Sequence, residues 1–195
     1  MTPVYVLVGG ESRRFGRNKA EVDVDGEPWA LHVGRRLAPG HEPVLVGSPP
    51  PCETLDACRY IPDAPESPGP VGGLIAALRD RLTQYGPGEL VLASCDLVRP
   101  ERQWLAPLFD AIDADPDVDA VGYFADGVWQ PFPSVAHTRW LDRVIVAALG
   151  GVESLQQLAD SPRVLSIPWE GTAGGPSQAN TPEELAAYTQ GAALD

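Results

Sequence analysis

One lysine, Lys19, stands among the fourteen Lys and Arg residues of this 195-residue chain; the other thirteen cations are arginines. Lys19 closes a stretch in which an apolar run, Val4 to Val8, stops at Gly9-Gly10 and gives way to Ser12, Arg13, Arg14 and Arg17 with one acid, Glu11. Glycine lets backbone N–H groups come close to phosphate oxygens, and a compact ammonium donates to them as a point charge. The chain as a whole carries a formal charge of −13. A cationic loop on so acidic a protein suits a polyanion met at one place, such as a triphosphate. Leu7, Val8, Gly9, Gly10, Ser12 and Lys19 are therefore candidate nucleotide contacts, and Arg14 joins Lys19 as a candidate catalytic cation. A second chemical position is Cys95-Asp96, which follows the apolar run Leu90-Val91-Leu92-Ala93. A carboxylate delivered to the carboxyl end of a central strand is placed to hold a metal, because ligands of open α/β sheets bind at those ends.

Three familiar phosphate or nucleophile arrangements do not fit. A P-loop needs Lys-Ser or Lys-Thr directly after its second glycine, and the dinucleotide fingerprint Gly-x-Gly-x-x-Gly is absent. A hydrolase elbow around Ser12 would need glycine where Arg14 stands. What fits is Leu-Val-Gly-Gly-x-Ser-x-Arg-Phe-Gly-x-x-Lys, from Leu7 to Lys19. It closely resembles the signature loop of nucleotidyltransferases of the molybdenum cofactor guanylyltransferase group. Asp63 with Gly69-Pro70-Val71-Gly72-Gly73-Leu74, then Cys95-Asp96, then Gln178-Ala179-Asn180-Thr181-Pro182 continue the resemblance in the family's order. It implies that Asp63 lies near the nucleoside ribose, that Gly69 and the glycines after it line the nucleoside pocket, that Asp96 binds magnesium, and that Asn180 lies near the metal and phosphates. It also implies that the Gln130-Pro131 region faces the acceptor. Three positions depart from the family pattern: Gly47 and Gln178 stand where asparagine is usual, and Val98 where proline is usual.

The elements that must position these residues follow from pattern. Val4 to Val8 reads as a strand buried on both faces. Ala20 to Asp25 reads as extended, Asp25-Gly26 as a turn, and Pro28 as the first residue of a helix to about Leu37. Pro43 to Val46 and Arg59 to Ile61 are short strands around a Pro-rich loop. A helix opens at Gly69-Pro70, with Leu74, Ile75, Leu78 and Leu82 at helical spacing. Glu89 to Ser94 is a strand and Arg102 to Ile112 a helix. The acidic run Asp113 to Asp119 reads as a solvated turn, since an EF-hand would need Gly at Val118 and Glu at Phe124. Ala120 to Phe124 and Gly127 to Val135 follow as a strand and an extended segment. Helices are expected over His137 to Leu149 and Val152 to Leu158, and a late strand over Arg163 to Ile167. Thr181, Pro182 and Glu184 have the pattern of a capped helix start. The alternation predicts an α/β fold, a Rossmann-like three-layer nucleotidyltransferase domain with a mostly parallel mixed sheet, in one domain over residues 1–195.

Cys52, Cys58 and Cys95 are odd in number and lack Cys-x-x-Cys spacing, which argues for reduced thiols rather than a disulfide framework or zinc knuckle. His32, His41 and His137 have no companions at ligand spacing and are read as structural or surface residues. The negative charge argues against nucleic acid and anionic membrane as general partners. No charged-then-apolar leader and no run of about 20 apolar residues is present, so a cytosolic location is expected.

The resemblance implies transfer of GMP from GTP to the terminal phosphate of molybdopterin, with Mg2+, releasing pyrophosphate. GTP and the molybdenum cofactor would be its partners, with cofactor-delivering or acceptor proteins as further ones. A candidate set with cations, backbone donors and a metal carboxylate but no nucleophile fits phosphoryl transfer, which asks mainly for positioning and charge neutralisation. Two alternatives stay open: a cytidylyltransferase or a transferase using another acceptor such as phospholactate or a sugar phosphate, and a non-catalytic nucleotide-binding homologue.

Overall fold

A computed structural model of the chain describes residues 2–8, 18–47, 58–171 and 175–190. Its strands are β1 (Val4–Leu7), β2 (Asp23–Val24), β3 (Glu27–Pro28), β4 (Val44–Val46), β5 (Tyr60–Ile61), β6 (Glu89–Ser94), β7 (Ala120–Ala125), β8 (Val128–His137) and β9 (Val164–Pro168). The helices are α1 (Trp29–Leu37), α2 (Gly69–Tyr85), α3 (Ala106–Ala114), α4 (Leu141–Leu149), α5 (Leu155–Leu158) and α6 (Pro182–Gln190). Seven strands form one sheet in the order β5-β4-β1-β6-β8-β7-β9, and β2 pairs with β3 in a separate hairpin. All neighbours in the large sheet run parallel except β8, which is antiparallel to β6 and β7.

Period-two alternation divides the apolar strand residues between two layers. Val4 and Val6 of β1 and Val91 and Ala93 of β6 face α1 and α3, packing with Leu31, Leu37, Leu108 and Ile112. Tyr5, Leu90 and Leu92 point the other way, onto Leu74, Ile75 and Leu78 of α2 and Val144 of α4. Every residue of β1 is buried, as its uninterrupted apolar run predicts. Tyr5 gives its hydroxyl to Asp80 Oδ2 at 2.7 Å, and burial together with that bond pushes the phenol well above its ordinary pKa. Asp80 is completed by an ion pair with Arg59.

Several boundaries differ from the sequence expectation. Lys19–Glu21 forms a 3-10 turn rather than extended chain, because Asn18 caps it: Asn18 Oδ1 accepts from Ala20 N at 3.1 Å, and its amide donates to Glu21 at 2.6 Å. Pro28 is the N-cap of α1, which begins at Trp29. Arg102–Trp104 is a 3-10 turn separate from α3, and Pro107 explains the break, since it has no N–H to continue a helix and is tolerated only in a first turn. His137 ends β8 and accepts from Arg139 N through Nδ1 at 3.0 Å, so the α-helix starts only at Leu141. Ser154 and Gln157 form a capping box that starts α5 three residues after Val152. Asp119 is no part of a solvated turn; it is fully buried, with Arg143 Nε 3.1 Å away.

Candidate active site

The carboxyl ends of β1, β4, β5 and β6 lie together, and there the chain changes direction: β1 leads outward to β4, while β5 crosses back through α2 to β6. Such a reversal leaves a crevice outside the strand ends. A cavity of about 150 Å3 fills it, lined by Leu7, Val46, Asp63, Gly69, Pro70, Ser94 and Phe132. Leu7, Asp63 and Gly69, separated in sequence, all line it. Gly69 has φ +72°, a left-handed value that suits glycine at the start of α2. Gly72 serves close approach instead, for a Cβ there would lie 1.8 Å from the Ser67 carbonyl oxygen, and its own carbonyl accepts from Ala64 N at 3.1 Å. The loop holding Asp63 is thereby pressed against α2. Burial raises the Asp63 carboxyl above its ordinary pKa, and a hydrogen bond from the Gly69 backbone opposes that shift. Gly47, where asparagine is usual, offers its carbonyl to the Tyr60 hydroxyl.

Lys19 sits at the far side of β1, on the turn that Asn18 caps. Its Nζ lies 3.5 Å from Asp96 Oδ2, 3.2 Å from Asn180 Oδ1 and 3.3 Å from the Ala179 carbonyl. The Lys19 and Asp96 side chains are only 14% and 16% exposed, so this pair is poorly screened by solvent. Asn180 arrives from the end of the chain along a short antiparallel clasp. Val98 N donates to the Ser177 carbonyl at 2.9 Å, Leu97 bridges Gln178, and Ala179 N donates to the Asp96 carbonyl at 3.0 Å. Trp29 Nε1 holds the same loop from α1, donating to the Leu97 carbonyl at 3.0 Å. At the start of α6, Glu184 N donates to Thr181 Oγ1 at 3.2 Å, as a cap predicts, but the Glu184 carboxylate accepts from Asn180 N rather than from Thr181 N. Asn180 is thus fixed by its backbone while its side-chain oxygen turns to Lys19.

Asp96 Oδ1 is buried and has no hydrogen-bond partner among the described residues. An orphaned carboxylate oxygen beside an amide oxygen is a hard-oxygen donor set. It suits Mg2+, which takes one or two protein oxygens and completes its shell with water and phosphate. No group of three or more His, Cys, Asp and Glu suited to a metal occurs among the described residues. Cys95 is buried beneath the site, and burial with the neighbouring Asp96 charge pushes its thiol up to about 12. It is an inert packing residue.

Gly9, Gly10, Ser12 and Arg14 lie outside the described residues. Val8 is buried, its N–H donating to the Val46 carbonyl at 2.8 Å. Phe132, Ser94 and Val46 line the cavity without having been legible as site residues: Phe132 follows the Gln130-Pro131 step, and only the register of β8 against β6 turns it inward. Gln130 itself donates to the Ala125 carbonyl at 3.3 Å.

Comparison with known proteins agrees with this geometry. Residues 4–164 match the model of the MobA-like NTP transferase domain, a span that stops short of Asn180. A molybdenum cofactor guanylyltransferase of Pseudomonas putida is 31% identical over 163 residues, covering 79% of this chain and 80% of that protein. A probable molybdenum cofactor guanylyltransferase of Nostoc sp. is 29% identical over 93% of this chain and 87% of its own length. Among solved structures, molybdopterin-guanine dinucleotide biosynthesis protein A from Archaeoglobus fulgidus superimposes with a TM-score of 0.73 at 22% identity, covering 100% of both chains. The 2-C-methyl-D-erythritol 4-phosphate cytidylyltransferase of Thermus thermophilus does so with a TM-score of 0.63 at 16% identity, again over 100% of each. These two likenesses speak for the three-layer fold, while the match over most of the chain speaks for kinship: the chain belongs to the MobA-like NTP transferase family and is a nucleotidyltransferase.

Proposed function

We propose that this enzyme transfers GMP from GTP to the terminal phosphate of molybdopterin, in a single nucleotidyltransferase domain working in the cytoplasm. The observation that carries the reading is the Lys19–Asp96–Asn180 cluster beside the cavity of Asp63, Gly69 and Phe132. The nucleoside would occupy that cavity, its ribose hydroxyls donating to the Asp63 carboxylate. Leu7 and Val8 would face the base, and Gly9, Gly10 and Ser12 would cradle the phosphates. Lys19, with Arg14, would neutralise charge on the phosphates through the transition state. Asp96 and Asn180 would hold Mg2+, which when bound supplies charge neutralisation for the triphosphate. The residues' own task is positioning: the acceptor's phosphate oxygen forms a bond to the α-phosphorus as the α–β bridging P–O bond breaks, and the electron pair leaves with pyrophosphate. The acceptor monoester is already ionised at neutral pH, so no side chain has to take a proton.

Thermal unfolding with Mg2+ and each of GTP, CTP, ATP and UTP tests the reading. A nucleotide at about 100 times its Kd adds about 2.7 kcal/mol, a rise of roughly 5–10 °C for a chain of this size. A GTP-selective rise that needs Mg2+ and disappears in Asp96→Ala is expected. A CTP-selective rise would move the assignment to a cytidylyltransferase, and no rise with any of the four would overturn it.

A further inference from the structure

Asp96 sits in a tight turn, Ser94 to Leu97, closed by Leu97 N donating to the Ser94 carbonyl at 3.3 Å. Neighbouring segments hold this turn by its backbone. Cys95 N donates to the Leu7 carbonyl of β1 at 3.1 Å, and the Asp96 carbonyl accepts from Ala179 N at 3.0 Å. Such main-chain bonds are open to a wide range of sequences. The Leu97 carbonyl is held differently, for it accepts from the indole Nε1 of Trp29, 68 positions earlier, at 3.0 Å. Leu97 is fully buried, so without the indole its carbonyl would have no water to turn to.

Trp29 reaches the other partner of the ion pair through its backbone. It is the first residue of α1, where an amide N–H has no carbonyl of its own helix to meet. That N–H donates to the Val22 carbonyl at 2.8 Å, and Val22 N donates to the Lys19 carbonyl at 3.1 Å. The turn carrying Lys19 is thereby hung from the start of α1. One residue thus holds both turns, that of Lys19 by its amide and that of Asp96 by its indole. Trp29 is only 1% exposed and belongs to the core cluster that also contains Ala20, Val22, Leu97 and Ala179. A side chain so enclosed has little freedom, and the 3.5 Å between Lys19 Nζ and Asp96 Oδ2 is set across it. Core packing asks position 29 for an apolar ring or chain. The N–H is a further property, and it is spent on the residue that follows Asp96.

We infer that Trp29 is a positioning residue of the transfer reaction: its indole N–H sets the Asp96 turn against the Lys19 turn, and so fixes how the Asp96 carboxylate is presented to Mg2+ and the triphosphate. The inference rests on the transferase reading above for the metal and the nucleotide, and its test separates the two. Trp29→benzothienylalanine keeps the shape of the ring and puts sulfur in place of the N–H; Trp29→Phe makes the same deletion with a natural residue. GTP binding to the full chain is measured by calorimetry with and without Mg2+, and amide hydrogen exchange is followed in the ligand-free protein. In the variants, Mg2+-free GTP affinity is expected to stay within about twofold of the parent, while the gain in GTP affinity that Mg2+ brings shrinks about threefold to tenfold, as loss of one buried hydrogen bond implies. The Leu97 and Ala179 amides should exchange about threefold to tenfold faster, with Val91 of β6, bonded to the Pro3 carbonyl, keeping its rate. A ring that only fills the core would lower the urea midpoint and move neither the Mg2+-dependent gain nor those two amides selectively. An unchanged Mg2+-dependent gain, or equal losses with and without Mg2+, would overturn the positioning role. Parent GTP affinity indifferent to Mg2+ would sink the transferase reading, and exchange at Leu97 and Ala179 would still confirm or overturn the tether.

Discussion

Asp96 and Asp119 end up in comparable straits at opposite strand ends of the same sheet. One follows the carboxyl end of β6 and the other precedes the amino end of β7, which runs in the same direction. Each has a buried oxygen without an aligned hydrogen bond among the described residues, Oδ1 in Asp96 and Oδ2 in Asp119. Their surroundings separate them. Asp119 is fully enclosed, with Arg143 Nε at 3.1 Å and Arg163, Arg139 and His137 adding positive field that opposes the upward push of burial on its pKa. Its backbone is stitched to both neighbouring strands, Asp119 N to the Arg163 carbonyl at 2.8 Å and its own carbonyl to His137 N at 2.8 Å. Asp96 has one ammonium close by, and the amide oxygen of Asn180 meets that same ammonium. A buried carboxylate with spare valence is thus no site in itself; it becomes one where the missing partner can arrive from solution.

The largest expected effect that would break this contrast is on turnover. Asp96→Ala should fold and abolish Mg2+-dependent pyrophosphate release, and Lys19→Ala should lose about 1.5–3 kcal/mol of charge-assisted stabilisation, roughly a tenfold to hundredfold fall in kcat/KM. Near-parent rates in either variant would sink the nucleotidyltransfer assignment of this cluster. The reciprocal change, Asp119→Asn, should cost about 1–3 kcal/mol of stability in urea denaturation, because it removes the charge-assisted contact of a fully buried carboxylate with Arg143, yet leave the nucleotide-induced thermal shift intact. If instead Asp119→Asn silenced nucleotide binding, the two carboxylates would not be the opposites described here. A smaller effect sharpens the picture at the nucleoside end. Asp63 has a raised pKa from burial, so it holds its proton to higher pH than an ordinary aspartate. Nucleotide affinity should therefore decline on acidification, starting above the usual carboxylate range, and recover as the group ionises; Asp63→Asn should flatten that profile in a pH series of titrations.

Much of this was written locally in the chain. The apolar run of β1, the alternation in β6 and the helical spacing in α2 each name their own layer, and Lys19, Asp63, Gly69 and Asp96 fall in short motifs with chemical meaning. The reading of Arg102 to Ile112 as one helix passed over Pro107, which separates the turn at Arg102–Trp104 from α3. Other features have no local signature. Nothing near Asp119 says that Arg143 will close over it, because that contact spans two strands and a helix. Phe132 becomes a wall of the cavity beside Asp63 only through register, since slipping β8 by one residue would turn it to the other face. The edge-on contact of Trp104 with Trp169 joins two segments 65 positions apart in the sequence, and periodicity within either segment is silent about the other.

The clasp between Asp96–Val98 and Ser177–Asn180 has a consequence for the order in which the folding chain assembles. Among the described residues the last strand of the sheet ends at Pro168, so every strand lies before the asparagine that meets Lys19. Those two partners are 161 positions apart, and closing that loop is worthwhile only once the sheet has already brought its ends together. The sheet can thus form while the site is still chemically incomplete, and the site is completed when residues 177–180 dock.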